Sequence, residues 1–198
     1  MVESQLSLTR AFADESFQES LDGTGFYVLA AVVFDSVVHD QVRDMLRALP
    51  GRPRGAKLHW TSMTTAYRHT AARDLAEVEG MHVVTIGSPV RHRRQERARA
   101  ACLTRLTCEL HSYGVQELLI ESRTAALNAR DVATVTGARY TLPKGTHFRV
   151  EHQAGAEEPL FWAADIVAGA VRAHRFGAPV YRSLLADRLY EVNVDTGC

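Results

Sequence analysis

Long apolar runs are missing from this sequence of 198 residues. The longest, Phe26 to Phe34, is far too short to cross a bilayer as a helix, so no membrane partner is expected. No basic stretch followed by an apolar one opens the chain, and the expected location is the cytoplasm. Cysteine is scarce: Cys102, Cys108 and Cys198 give neither a metal-ligand spacing nor an even disulfide set. An excess of either charge is lacking too, with 23 Lys plus Arg against 23 Asp plus Glu. That removes a global field able to collect an anionic polymer and leaves only local patches for such a role. No glycine-rich phosphate loop is present, because the "GTG" of Gly23 to Gly25 sits in a hairpin rather than before a helix. There is no internal repeat, no low-complexity tract and no long linker, which predicts one domain over residues 1–198.

What is present is a globular composition, 46% hydrophobic and 23% charged. Leu6 to Phe12 reads as a first strand and Gly25 to Phe34 as a second, rich in Val, Phe and Tyr. With Asp35 or Ser36 as N-cap, Val37, Val38, Val42, Met45, Leu46 and Leu49 follow at helical spacing until Pro50-Gly51. After a loop and a short extended "KLHW", a second helix runs to Gly80, so residues 36–80 form a helical insertion after strand two. "MHVVTIGS" is the third strand, Arg91 to Tyr113 a long helix, and "VQELLIES" the fourth strand. Thr124 to about Val135 is a helix and "THFRVEH" the fifth strand. Closing helices are predicted in "EEPLFWAADIVAGAVRAHRFG" and "PVYRSLLADRLY". An antiparallel opening followed by alternating strands and helices predicts a mixed α/β fold, with a mixed five-stranded sheet and helices on both faces.

Acids recur where the predicted strands end: Asp14 and Glu15 after the first, Glu121 after the fourth, Glu151 after the fifth. Asp165 is out of place differently, surrounded on its helix by Phe161, Trp162, Ala163, Ala164, Ile166, Val167, Ala168 and Val171. Such a carboxylate must find a polar window, a partner such as Arg172, Arg175 or a backbone N–H of a neighbouring turn, or a cation, because an unpaired buried charge costs several kcal/mol. If the five acids converge, they repel one another and raise one another's pKa until a cation neutralises them. Oxygen-only ligands suit Mg²⁺ or Mn²⁺, and a pair of such ions can clamp the attacking water and the leaving oxygen of a phosphodiester. Separately, "RHRRQERAR" offers Arg91, Arg94 and Arg99, or Arg93 and Arg97, as a basic ridge for a nucleic-acid backbone. His152, next to Glu151, is placed to assist an acidic site.

Three stretches carry a family resemblance: "ADES" near the start, "AKLHW" about forty residues on, and "LFWAADIVAGAV" near the end. Their order and spacing resemble the signatures of domain-of-unknown-function family 3800, which is similar to the ribonuclease H-like superfamily. The resemblance spans about Leu6 to Arg175. It implies a ribonuclease H-like core and a divalent-metal-dependent nuclease acting on RNA or DNA. Asp14, Glu15, Lys57, Glu121 and Asp165 would be catalytic, with Asp14, Glu121, Asp165 and Glu151 as metal ligands and Lys57 steadying a phosphate. The sequence departs from the family pattern at Phe17, Ala56 and Ala163, where Gly, an acid and Gln are usual. Those departures motivate the alternative, a ribonuclease H-like scaffold without chemistry that serves as a binding or assembly module.

Overall fold

A computed structural model describes residues 10–18, 24–50 and 57–198. Its frame is one six-stranded sheet in the order β5-β4-β1-β2-β3-β6. The strands are β1 (Arg10–Gln18), β2 (Thr24–Val33), β3 (Met81–Arg91), β4 (Glu117–Glu121), β5 (Arg149–Gln153) and β6 (Leu189–Asp195). The central three are antiparallel neighbours, whereas β4 joins β1, β5 joins β4 and β6 joins β3 in parallel. The helices are α1 (His39–Ala48), α2 (Thr65–Ala76), α3 (Gln95–Ser112), α4 (Ala125–Arg139), α5 (Leu160–Arg175) and α6 (Val180–Leu184).

Strand alternation divides the core in two. Phe12, Val28, Ala30, Val32, Val84, Ile86 and Leu119 face one way and pack under α5, with α1, α2 and α6 around it. Ala11, Ala13, Leu29, Ala31, Val83, Leu118 and Ile120 face the other way, toward α3 and α4. The predicted mixed sheet with helices on both faces is therefore present, and helices α1 and α2 form the insertion after β2. Thr64 and Thr124 cap α2 and α4 through their side-chain oxygens, which receive the Tyr67 and Leu127 N–H groups.

Four expectations change. The sheet has six strands, because the segment read as the end of a last helix breaks at Leu185 and continues as β6. Strand β1 does not stop before Asp14; it pairs with β2 as far as Gln18. The helix predicted from Arg91 begins at Gln95, since β3 runs to Arg91 and Arg93 turns the chain at a φ of 62°. Helix α4 runs past Val135 to Arg139. The start of the first predicted strand, Leu6 to Thr9, and Ala56 lie outside the described residues. No helix among the described residues is long and apolar enough to cross a membrane.

Candidate functional site

The site begins where two parallel strands part. The ladder between β1 and β4 ends at Ala13 opposite Ile120. Asp14 and Glu121 are the next residues on each strand. Period-2 alternation turns both toward the α5 face. Lys57 enters from the insertion, its side chain only 8% exposed, and its Nζ donates to Asp14 Oδ2 at 2.6 Å and also to Glu121 Oε2. The other Asp14 oxygen accepts the Glu15 N–H at 2.8 Å.

Helix α5 supplies the third acid and fixes the segment that carries Lys57. Asp165 Oδ2 accepts the backbone N–H of Trp60 at 2.7 Å. One turn on, Gly169 receives the Trp60 ring: a Cβ there would lie 2.2 Å from Trp60 Cγ. The pair Asp165 and Gly169 thus holds a peptide and a ring of the same residue, three positions after Lys57. Glu121 is held in a similar way. Its carboxylate lies against Gly155, where a Cβ would come within 2.1 Å of Oε1, and the Gly155 carbonyl accepts Trp162 Nε1–H from α5 at 2.9 Å.

Burial dominates the electrostatics. It pushes the Asp14 carboxyl up to about 7, helped by the charges of Asp165 and Glu15 and opposed by Lys57. Asp165 is raised too, by burial first and by Glu121, against the Trp60 N–H, Lys57 and His59. For Lys57, burial disfavours the ammonium, but Asp14 and Glu121 outweigh it and push the group up to about 12. Lys57 is therefore a firmly charged cation inside a cluster of acids.

The remaining sequence candidates fall elsewhere. Glu15 points to the opposite face of the sheet, where the buried Arg99 binds it at 2.7 Å. Arg99 also donates to both Asp131 oxygens at 2.9 and 2.8 Å and to the Tyr27 hydroxyl at 3.0 Å. His152 joins this network through Asp131, at 3.2 Å, rather than the Asp14 cluster. Glu151 is opposite Leu119, short of the strand end, and its exposed side chain lies 3.9 Å from Arg149. Arg91, Arg93, Arg94 and Arg97 are exposed at the β3–α3 turn and the start of α3, and Arg97 donates to the Thr196 carbonyl at 3.3 Å. They form no ridge with Arg99, which is buried. Sequence reading missed Trp60, Gly155 and Gly169 as organisers of the site. The "AAD" and "AG" of α5 hold the signal: a small residue four after an acid leaves a hollow beside a hydrogen-bond acceptor.

Among the described residues, no group of three or more His, Cys, Asp or Glu side chains is drawn together as an ion site. The donor chemistry nevertheless fits an oxygen-preferring divalent ion. Two carboxylates already share one cation, the Lys57 ammonium, and Asp165 is close enough to raise the Asp14 carboxyl. An ion held jointly by Asp14 and Glu121 would take the place of that ammonium.

The chain matches no known family model and no curated protein sequence. Solved structures do resemble it. Ribonuclease H2 from Pyrococcus horikoshii OT3 aligns with 85% of this chain and 74% of its own, at 17% identity and a TM-score of 0.59. Ribonuclease HII of Archaeoglobus fulgidus, solved in complex with PCNA, covers 85% of this chain and 73% of its own, at 18% identity and a TM-score of 0.55. A mutant of Bst-RNase HIII covers 85% of this chain and 53% of its own, at 16% identity and a TM-score of 0.52. At these identities the likeness is one of architecture, and the mixed sheet between two helical layers is a ribonuclease H-like fold.

Proposed function

We propose that the chain is a divalent-metal-dependent nuclease that hydrolyses phosphodiester bonds of RNA or DNA. One observation carries this reading: Asp14 and Glu121, on the parting strands β1 and β4, share a single cation, the Lys57 ammonium, and the charge of Asp165 on α5 acts on Asp14. The ribonucleases named above share the fold, and the three short stretches, which match no family model, are read in the same sense. Asp14, Glu121 and Asp165 would hold Mg²⁺ or Mn²⁺. A bound ion supplies a water of lowered pKa and positive charge for the phosphate.

The chain's own residues have separable tasks. The Glu15 N–H fixes the Asp14 carboxylate, the Trp60 N–H fixes Asp165, and Gly155 leaves room for Glu121. Lys57 holds the acids together and offers its ammonium to a phosphate oxygen once it leaves one of them. Glu15 anchors β1 from beneath through Arg99. Glu151, exposed beside Arg149, takes no part in the ion site, and Arg91, Arg93, Arg94 and Arg97 would serve as backbone contacts away from the centre.

The test is cleavage of labelled single-stranded, double-stranded and hybrid nucleic acids with Mn²⁺, by wild type, Asp14→Asn and Asp165→Asn. Cleavage by wild type and its loss in both variants are expected. Cleavage that both variants retain would overturn the reading.

The position of Lys57 favours a second reading, a binding or assembly module whose acid cluster is neutralised from within. Phe17 and Ala163 agree with it, the first packed near Tyr27 and the second wholly buried. Calorimetric titration with Mg²⁺ and Mn²⁺ separates the two. Binding that Asp14→Asn abolishes argues against a pure scaffold.

A further inference from the structure

Next to the acid cluster lies an open groove of about 570 Å³ whose lining includes Gln18, Trp60, Arg68, Arg172, Phe176 and Tyr181. It is continuous with the site through Trp60. That residue gives its N–H to Asp165, while its ring, edge-on to Tyr181 at 5.1 Å, forms part of the groove wall. Gln18 extends the same face of β1 that carries Asp14, four residues further, roughly 13 Å along the strand.

Among the described residues that line the groove, the charges are of one sign. Arg68 donates to the carbonyls of Trp60 at 3.1 Å and Thr61 at 3.4 Å. Arg172 donates through Nε and Nη2 to the amide oxygen of Gln18. Among the described residues neither guanidinium pairs with a carboxylate, and no acid lines the groove. Each guanidinium has five donor hydrogens and uses only some of them in these bonds, so both keep donors for an anion. One aromatic ring is open beside them: Phe176 is 58% exposed, whereas Trp60 and Tyr181 are 4% and 5% exposed. Phe176 is steadied from behind by Phe26, at 5.7 Å between ring centroids. Among the described residues, two cations without acids and one presented ring match the two halves of a nucleotide, a phosphate and a planar base. The volume is that of a small-ligand pocket rather than a duplex cleft.

We infer that this groove seats one nucleotide of a single-stranded flank of the substrate, its phosphate at Arg68 and Arg172 and its base on Phe176. The nature of the substrate rests on the nuclease reading; the place rests on the groove. Stacking on an aromatic ring is tolerant of base identity, so the site confers a preference for unpaired strand rather than for sequence.

The experiment is fluorescence anisotropy of a labelled single-stranded oligonucleotide in EDTA, which reads binding without metal-dependent cleavage. Wild type is compared with Phe176→Leu and Arg172→Gln, both first checked by melting. Phe176→Leu, at an exposed ring, carries the test alone should Arg172→Gln unfold. Phe176→Leu is expected to weaken binding about ten-fold with the salt dependence unchanged. Arg172→Gln is expected to weaken it and to lower the slope of log K against log salt by about 0.7, one phosphate contact. A duplex of the same sequence and inorganic phosphate should compete poorly. Wild type that does not bind, binding unchanged in the variants, or phosphate competing as well as the oligonucleotide would each overturn the inference. Cleavage assays keep the two readings apart. Binding that depends on Phe176 and Arg172 without any cleavage sinks the nuclease and leaves the groove. Cleavage with groove-independent binding does the reverse.

Discussion

A carboxylate in the middle of an apolar helix needs a reason, and for Asp165 the reason is a peptide. The arginines on its own helix are engaged elsewhere, Arg172 with Gln18 and Arg175 with Asn193. Asp165 therefore serves no structural ion pair with them, and its charge is a liability while no divalent ion is bound. Asp165→Asn keeps an oxygen for the Trp60 N–H and removes that charge. Its melting temperature in EDTA should equal or exceed that of wild type. Asp165→Ala leaves the N–H unpaired and should cost about 1–3 kcal/mol. A loss for Asn as large as for Ala would count against the assignment. Asp14 gives a second prediction. Its carboxyl ordinarily titrates near 3.8 and is pushed up to about 7 in the fold. The folded state then holds the proton more tightly than the unfolded chain. The stability this contributes is complete below pH 3.8 and fades as pH rises to about 7. Melting of wild type in EDTA should fall across that window relative to Asp14→Asn, and parallel curves would refute it.

Between elements, two contacts set the geometry. The first is Trp60 in the hollow of α5. Gly169→Ala should gain about 1 kcal/mol of helix propensity. Yet its methyl group would overlap Trp60 Cγ at 2.2 Å, which displaces the ring. A net destabilisation of about 1–3 kcal/mol, with tryptophan emission shifted to the red, is the expected result, and a stabilised variant would show that the ring moves freely. The second contact is Arg99, which joins α3 to β1 through Glu15 and to α4 through Asp131. Burial alone would raise the Asp131 carboxyl, but the hydrogen bonds of His152 and Arg99 and the charges of Arg99 and Arg123 hold it well below its usual range. Arg99→Met strands Glu15 and leaves Asp131 to Arg123 and His152, and should cost about 3 kcal/mol by urea denaturation. A smaller loss would mean that Arg123, also paired with Asp131, takes over.

Element boundaries were readable in the sequence where apolar periodicity was strong and failed where polar residues served a purpose. The polar "DES" looked like a strand exit, but Asp14, Ser16 and Gln18 share one face and the backbone pairs on beneath them. Edge strand β6, half-exposed along its length, gave too little apolar signal to separate from the helix before it. The same alternation explains why adjacent acids parted: Glu15 must face α3 if Asp14 faces α5. The arginine-rich stretch read as one helical ridge because nothing local announced that Arg93 would turn the chain.

At the scale of the whole molecule, the cluster draws Asp14 from β1, Lys57 from the insertion, Glu121 from β4 and Asp165 from α5. The three short stretches singled out Asp14, Glu15, Lys57 and Asp165, and the strand-end pattern added Glu121 and Glu151; of these, Glu15 turns to the opposite face and Glu151 lies beside Arg149. Chain order could not show that Lys57 bridges two of the acids, because that contact depends on how the insertion is seated on α5.

Helix α5 is apolar nearly all round, with Leu160 to Ala164 and Ile166 to Val171 buried. It is also made late, after β1 to β5. As a ribosome extends the chain, the central strands emerge with Phe12, Val28, Ala30 and Val84 awaiting a cover that does not yet exist. The nascent protein therefore passes through an interval with that apolar face uncovered and prone to aggregate. A chain stopped at Pro159 would freeze that interval. It should bind 8-anilinonaphthalene-1-sulfonate strongly and precipitate, whereas a truncated chain that stayed monodisperse and dye-free would show that α1 and α2 suffice to cover the face.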